Sequence, residues 1–282
     1  MYSCKFISDN GTVFLLGTAN NIVFDIDGLS GISVDLGTSQ GFAQVGETVE
    51  TKSISGKTLT VKGVIYKNLT TTKKALKNAF SAFASGRLIF ENNTYIYVNV
   101  KETPTISPLK NNGVFTFRLF APFPFFKELA ESTFYIGAIK PMFSFPVNYE
   151  TPHIFGEKSD ARYINVINNG DLKTAFRVDL TTAGTSDNIT LTNMQTFEFL
   201  KLNGTLNVNE RITIYRDERN QLKAELYSNG KATDILSWID EESNLFELDI
   251  GDNLILATDD DGGENLTAQI TFNAVMGAVY EY

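Results

Sequence analysis

The twelve residues from Phe115 to Phe126, Phe-Thr-Phe-Arg-Leu-Phe-Ala-Pro-Phe-Pro-Phe-Phe, limit what this chain can fold into. Phe115, Phe117 and Leu119 alternate with Thr116, Arg118 and Phe120, the period of a strand with one apolar face. Pro122 and Pro124 then follow. Neither can donate to a sheet ladder, and each drives the residue before it into extended backbone. The pattern predicts a strand to about Phe120 and a stiff, greasy exit from the sheet. That exit either packs on its own domain or docks against a second domain or a neighbouring subunit.

The two sides of this exit differ in charge. Residues 1–140 carry 14 Lys and Arg against 10 Asp and Glu, a net of +4. Residues 141–282 carry 10 against 23, a net of −13, giving −9 for the 282-residue chain. Such a split implies two separately folding halves and disfavours nucleic acid as a ligand of the second. An apolar content of 43% with 20% charged residues lets each half bury a core. Cys4 is the single cysteine, so the chain has no internal disulfide and no cysteine-built metal site. The N-terminus has no apolar stretch of signal-peptide length, and no apolar run is long enough for a membrane-spanning helix. The expectation is synthesis in a cytoplasm and no membrane insertion.

Residues 1–70 read as short strands between glycine-containing turns, clearest at 22–26, 33–36, 47–54 and 58–65. Residues 39–46 read as a mobile loop of small residues. A helix follows. Thr71 or Thr72 can cap it, Gly86 can close it, and Leu76, Ala79, Phe80 and Phe83 share one face. Burial of Leu76, Phe80 and Phe83 would contribute roughly 1.5–3 kcal/mol each. Strands at 88–91 and 94–100 flank Asn92-Asn93, a hairpin signal, and 104–113 reads as a loop. Residues 127–152, with Pro141, Pro146 and Pro152 and the apolar Met142, Phe143 and Phe145, read as an interdomain connection. From Tyr163 the chain is all strand: 163–167, 176–182, 189–192, 198–202, 210–215, 221–226, 245–248, 253–257 and 267–275, with turn signals between. Many short strands so spaced imply a β-sandwich or jelly roll.

Signals of catalysis are poor. The lone histidine, His153, sits in the proline-rich connection, where a His-based triad is not expected. One His and one Cys do not make a usual zinc site. No phosphate-binding or dinucleotide fingerprint is present. Asp240-Glu241-Glu242 and the run Asp259 to Glu264 read as solvated turns, with a calcium loop as the alternative for the second, although it lacks EF-hand spacing. Trp238, the single tryptophan, reads as a core or interface anchor, with sugar stacking as the alternative. The sequence therefore assigns no catalytic, cofactor-binding or metal-binding residues.

Taken in order, the motifs resemble the distal tail protein family of long, non-contractile-tailed bacteriophages. The resemblance rests on Ser55-Gly56-Lys57-Thr58-Leu59-Thr60-Val61-Lys62-Gly63, the following helix through Leu76, and Ala121-Pro122-Phe123-Pro124-Phe125 in the first half. In the second half it rests on Asn168-Asn169-Gly170-Asp171 and Ile250-Gly251-Asp252-Asn253. Lys57, Ile250 and Met276-Gly277-Ala278 depart from the family's usual residues.

The resemblance implies a mainly β protein of two domains. Residues 1–138 would form an N-terminal β-sandwich with one packed α-helix that assembles as a hexameric ring. Residues 139–152 would be the linker, and 153–282 a C-terminal galectin-like β-sandwich or jelly roll. The expected function is structural and not enzymatic: a tail-tip hub in the virion, joining the tail tube protein to tip, fibre or receptor-binding proteins while DNA passes through the ring. A DNA conduit of net positive charge would need inward-facing acids, for which Asp25, Asp27, Asp35, Glu47 and Glu50 are the candidates. A carbohydrate-binding module is the alternative function, and a glycan-cleaving enzyme, suggested only by the abundance of carboxylates, stands third.

Overall fold

In a computed structural model of the chain, residues 3–109, 112–137, 139–141, 156–158, 162–218 and 220–277 are described. The chain divides into two compact units, 1–130 with 275–282, and 131–274.

The first unit is built on one nine-stranded antiparallel sheet. In chain order its elements begin with β1 (Cys4–Ser8), β2 (Val13–Leu16) and β3 (Ile22–Asp27). Next come β4 (Val34–Ser39), β5 (Thr48–Ile54), β6 (Lys57–Ile65), α1 (Leu69–Ala79), β7 (Ser85–Phe90), β8 (Thr94–Leu109), β9 (Asn112–Ala121) and β10 (Phe126–Glu128). The main path runs β2-β1-β7-β8-β9-β6-β3, and β10 pairs with β8. Phe6 and Leu16 from one end of the path and Ile22 and Val61 from the other enter a single core. The sheet thus wraps over its own interior.

Helix α1 closes that interior. Leu76, Ala79 and Phe80 are buried, and the Phe80 ring lies 4.5 Å from both Phe6 and Phe117 and 6.1 Å from Phe14. The helix differs from the sequence expectation at both ends. Asn68 stands at its N-cap in left-handed backbone without a side-chain cap bond, in place of Thr71 or Thr72. It ends at Ala79, and Phe83 is fully exposed at φ 66° in the turn that follows. Gly86 is not its closing residue. It lies in β7, where a Cβ would stand 2.2 Å from the Ile7 carbonyl oxygen of β1, so only glycine permits that strand pairing.

The 104–113 loop expected from sequence is strand over its described residues. β8 continues to Leu109, and irregularities between Val100 and Thr105 absorb Pro104 within the ladder to β9. The proline exit after β9 is short. Phe126 returns to the sheet in β10, fully buried and 5.6 Å edge-on to Phe90, so this aromatic packs on its own unit. Phe123 remains 39% exposed, with Lys127 Nζ 5.5 Å from its ring.

The second unit holds β11 (Ser132–Ile136), β12 (Ile139–Pro141), β13 (Gly156–Lys158), β14 (Tyr163–Asn168), β15 (Arg177–Thr182), β16 (Ser186–Asp187) and β17 (Thr190–Asn193). It continues with β18 (Phe199–Lys201), β19 (Thr205–Leu206), β20 (Arg211–Arg216), β21 (Leu222–Ser228), β22 (Lys231–Asp234), β23 (Gly251–Thr258) and β24 (Leu266–Phe272). A six-stranded sheet, β11-β24-β15-β20-β21-β22, and a four-stranded sheet, β14-β23-β17-β18, share one core. Val178, Leu180, Ile212 and Ile270 meet Val166, Leu191, Ile255 and Ala257 there, which makes a sandwich. Asn229 and Gly230, both at positive φ, turn β21 into β22 as a two-residue hairpin. The expected strand at 245–248 is a single bridge, Leu248 to Thr174. From β24 the chain returns to the first unit through β25 (Val275–Met276), which pairs with β10.

The boundaries expected from sequence, at 138 and 152, differ from these. β11 belongs to the second unit and β25 to the first. Met142, Phe143, Phe145, Pro146, Pro152 and His153 lie outside the described residues.

Candidate functional site

One feature of the first unit that core formation does not explain is the β4–β5 hairpin. All thirteen of its strand residues are exposed, and its two strands form a sheet of their own. Yet one face carries four apolar side chains, beside Lys52 and Thr38. Val34 stands opposite Ile54 and Leu36 opposite Lys52. A register shift between Gly37 and Thr38 leaves Glu50 as the extra residue and brings Val49 opposite Thr38. Val34, Leu36, Val49 and Ile54 are 43–53% exposed. An isolated two-stranded hairpin is at best marginally stable in water, and these side chains gain little from pairing only with each other.

The 39–46 tip, expected to be mobile, carries a defined set of hydrogen bonds. Gln44 accepts from the Gly41 N–H at 2.9 Å, donates to Thr48 Oγ1 at 3.0 Å, and offers its carbonyl to Gln40 Nε2 at 3.1 Å. Phe42 and Val45 project from this tip fully exposed. Ser39 Oγ donates to Glu50 Oε1 at 2.5 Å near the tip, and Ser55 Oγ donates to Asp35 Oδ2 at 2.6 Å near the base. Nothing in the single-sequence pattern separated this hairpin from core strands. Valine, isoleucine and threonine mark a strand, not whether its apolar face is covered.

Of the candidate inward acids, Asp25 and Asp27 lie on exposed positions of β3, with Asp27 Oδ2 2.5 Å from Lys62 Nζ. Asp35, Glu47 and Glu50 fall on or beside the hairpin. Lys57, one of the departures noted above, donates to the Leu29 carbonyl at 3.2 Å and lies 4.3 Å from the Phe126 ring centre. Half-burial lowers its pKa to about 8. Burial also pushes the Cys4 thiol well above its ordinary value, which makes it an inert core group.

In the second unit the acidic runs are turns held by backbone. Asp259 Oδ1 accepts from the N–H groups of Gly263 and Asp261 at 2.6 and 3.1 Å, and Asp260 Oδ2 accepts from Asn188 Nδ2 at 2.6 Å. Asp240 accepts from the Glu242 N–H at 2.9 Å and from Asn203 Nδ2 at 2.8 Å. No group of three or more metal-ligating side chains occurs among the described residues. Trp238 packs against the second core, so closely over Gly204 that a Cβ there would lie 2.2 Å from its ring. It is an anchor of the fold.

Comparison with known proteins agrees with this architecture. Residues 169–274 match the family model of the siphovirus-type tail component, C-terminal domain. No curated protein matches the chain significantly. Among solved structures, the chain is similar to the Dit (gp 19.1) protein of phage SPP1, described as a paradigm of the hub adsorption apparatus in phages infecting Gram-positive bacteria. The two share 13% identity at a TM-score of 0.68, over 97% of this chain and 99% of that one. A chain of the phage P2 baseplate in its activated conformation with Ca is similar at 11% identity and a TM-score of 0.55, over 99% of each. The baseplate structure with Sr gives 12% identity and a TM-score of 0.51, again over 99% of each. Residues 169–274 are thus similar to the C-terminal domain of siphovirus-type tail components, and the whole chain shares the fold of these three phage chains.

Proposed function

We propose that this chain is a structural hub of a phage tail, acting at the tail tip of the virion and not as an enzyme. Copies of the chain close into a six-membered ring through the first unit. The ring joins the tail tube protein to tip, fibre or receptor-binding proteins, and DNA passes through it after synthesis and folding of the chain in the host cytoplasm.

The single observation that carries this reading is the exposed β4–β5 hairpin with four apolar side chains on one face. A closed ring needs a heterologous contact, in which one surface of a subunit meets a different surface of the next. A projecting hairpin supplies one half of such a contact. Covering Val34, Leu36, Val49 and Ile54 would contribute on the order of 25 cal/mol for each Å² of apolar surface removed from water, repeated at every joint of the ring. The family match and the similarity to tail-hub and baseplate chains support the setting.

The test is negative-stain electron microscopy of the full chain, alone and mixed with its tail tube and tip proteins. Six-fold rings are expected in at least the mixture. A monomer in every mixture overturns the proposal.

A further inference from the structure

The outer face of the six-stranded sheet in the second unit carries one polar row across all six strands: Tyr135, Gln269, Asp179, Thr213, Glu225 and Asp234, each opposite the next. At its centre the Asp179 side chain is only 11% exposed. It accepts from Arg177 Nη2 at 3.0 Å and from Thr213 Oγ1 at 2.6 Å. Arg177 Nε lies 2.8 Å and Arg211 Nε 3.8 Å from its oxygens. Glu225 accepts from the Tyr227 hydroxyl at 2.6 Å, and the Arg211 guanidinium lies 4.6 Å from the Tyr227 ring centre.

Long charged side chains on a surface ordinarily rotate freely, and immobilising them costs a ligand affinity. Here the guanidiniums, the two carboxylates and the Tyr227 phenol already hold one another. Charge narrows the ligand class further. Within the strands of this face Arg177, Arg211 and Lys223 offset Asp179, Glu225 and Asp234, while Glu131 and Asp217 at its edge act on Arg177 and Tyr215. Residues 141–282 around it carry 23 acids against 10 bases. A polyanion would meet an acidic domain, and a cation would meet arginines. A partner protein would want an apolar centre with a polar rim, and this face has polar groups at its centre. A neutral, hydroxyl-rich chain matches a surface of fixed donors and acceptors interleaved with tyrosine rings.

We propose that this face binds a neutral glycan. Arg177 and Arg211 use their remaining N–H groups as donors to sugar hydroxyls. Glu225 accepts from them, and Tyr215 and Tyr227 offer ring surface. This inference stands apart from the hub reading, since it concerns only the second unit.

The test uses the full chain against three immobilised neutral probes, a glucan, a galactan and N-acetylglucosamine oligomers, with poly(glycerol phosphate) as the polyanion. Saturable binding to at least one neutral probe is expected. Arg211→Ala and Glu225→Gln should each weaken it at least tenfold. Tyr163→Ser, on the outer face of the four-stranded sheet, should leave it within twofold. Tyr227→Phe keeps the ring and loses the bond to Glu225, so a weakened interaction is readable even if Arg211→Ala fails to fold. No saturable neutral binding, binding to the polyanion alone, or neutral binding unchanged in all three face variants overturns the proposal. Ring formation is recorded in parallel, so failure of one reading is distinguished from failure of the other.

Discussion

Val34 stands opposite Ile54 in the β4–β5 pair, and each leaves close to half of its surface in water. Backbone pairing without a covered face gives little protection against local opening. In dilute, unassembled protein, amides of Val34–Ser39 and Thr48–Ile54 should exchange with solvent far faster than those of β6 and β9. On assembly their protection should rise at least tenfold, as read by hydrogen exchange with mass spectrometry.

Phe80 and Phe83 test where the helix ends. Phe80 is fully buried among Phe6, Phe14 and Phe117, whereas Phe83 is fully exposed. Phe80→Ala should destabilise the first unit by about 3–5 kcal/mol, and Phe83→Ser should stay within about 0.5 kcal/mol. Urea titration separates the units, because Trp238 reports on the second by fluorescence while circular dichroism reports on both. The Phe80 variant should move the dichroism transition and leave the Trp238 transition in place.

These same residues mark what could be read from sequence. Phe115, Phe117 and Leu119 alternate along β9, and the structure buries all three. Asn92-Asn93 turns a hairpin as its chemistry demands, whereas β22 after Asn229-Gly230 was not expected. Phe83 misled because it continues the helical spacing of Leu76 and Phe80 after the backbone has left the helix. Pro104 misled because a proline inside a strand normally breaks it, and only the register irregularities of β8 accommodate it. The units' boundaries were hidden for a different reason. β11 and β25 pair with strands distant in sequence, Ser132 with Phe272 and Phe126 with Met276, and periodicity does not encode the partner. The polar row on the second unit was equally hidden, since it exists only once six strands are in register.

Lys57 has a pH signature. Burial lowers its folded-state pKa from 10.5 to about 8. Below about 8 the amine is charged in both folded and unfolded chains, and the cost of burying it is fully present. Between about 8 and 10.5 the unfolded chain binds more protons, so this group's contribution to stability rises with pH. Lys57→Met should therefore melt at least as high as the natural protein at pH 7. The difference between the two should shrink or reverse as pH approaches 10.5, as measured by paired thermal melts.

Asp259 holds its turn by accepting from Gly263 and Asp261. Asp259→Ala should cost about 0.5–1.5 kcal/mol, because the part-buried Gly263 N–H loses its acceptor while the exposed Asp261 N–H turns to water. Calcium added to that variant should not restore the loss. A melting temperature of the natural protein that rises with millimolar calcium would contradict the turn reading.

The central claim is that the β4–β5 hairpin joins one copy of the chain to the next. The direct measurement is single-particle mass of the natural protein and of a Val34→Asp, Leu36→Asp double variant, each mixed with the tail tube and tip proteins. The account predicts a ring of six copies for the natural protein and single copies for the variant, with the melting temperature of the core unchanged. Rings of equal abundance from both proteins would contradict it.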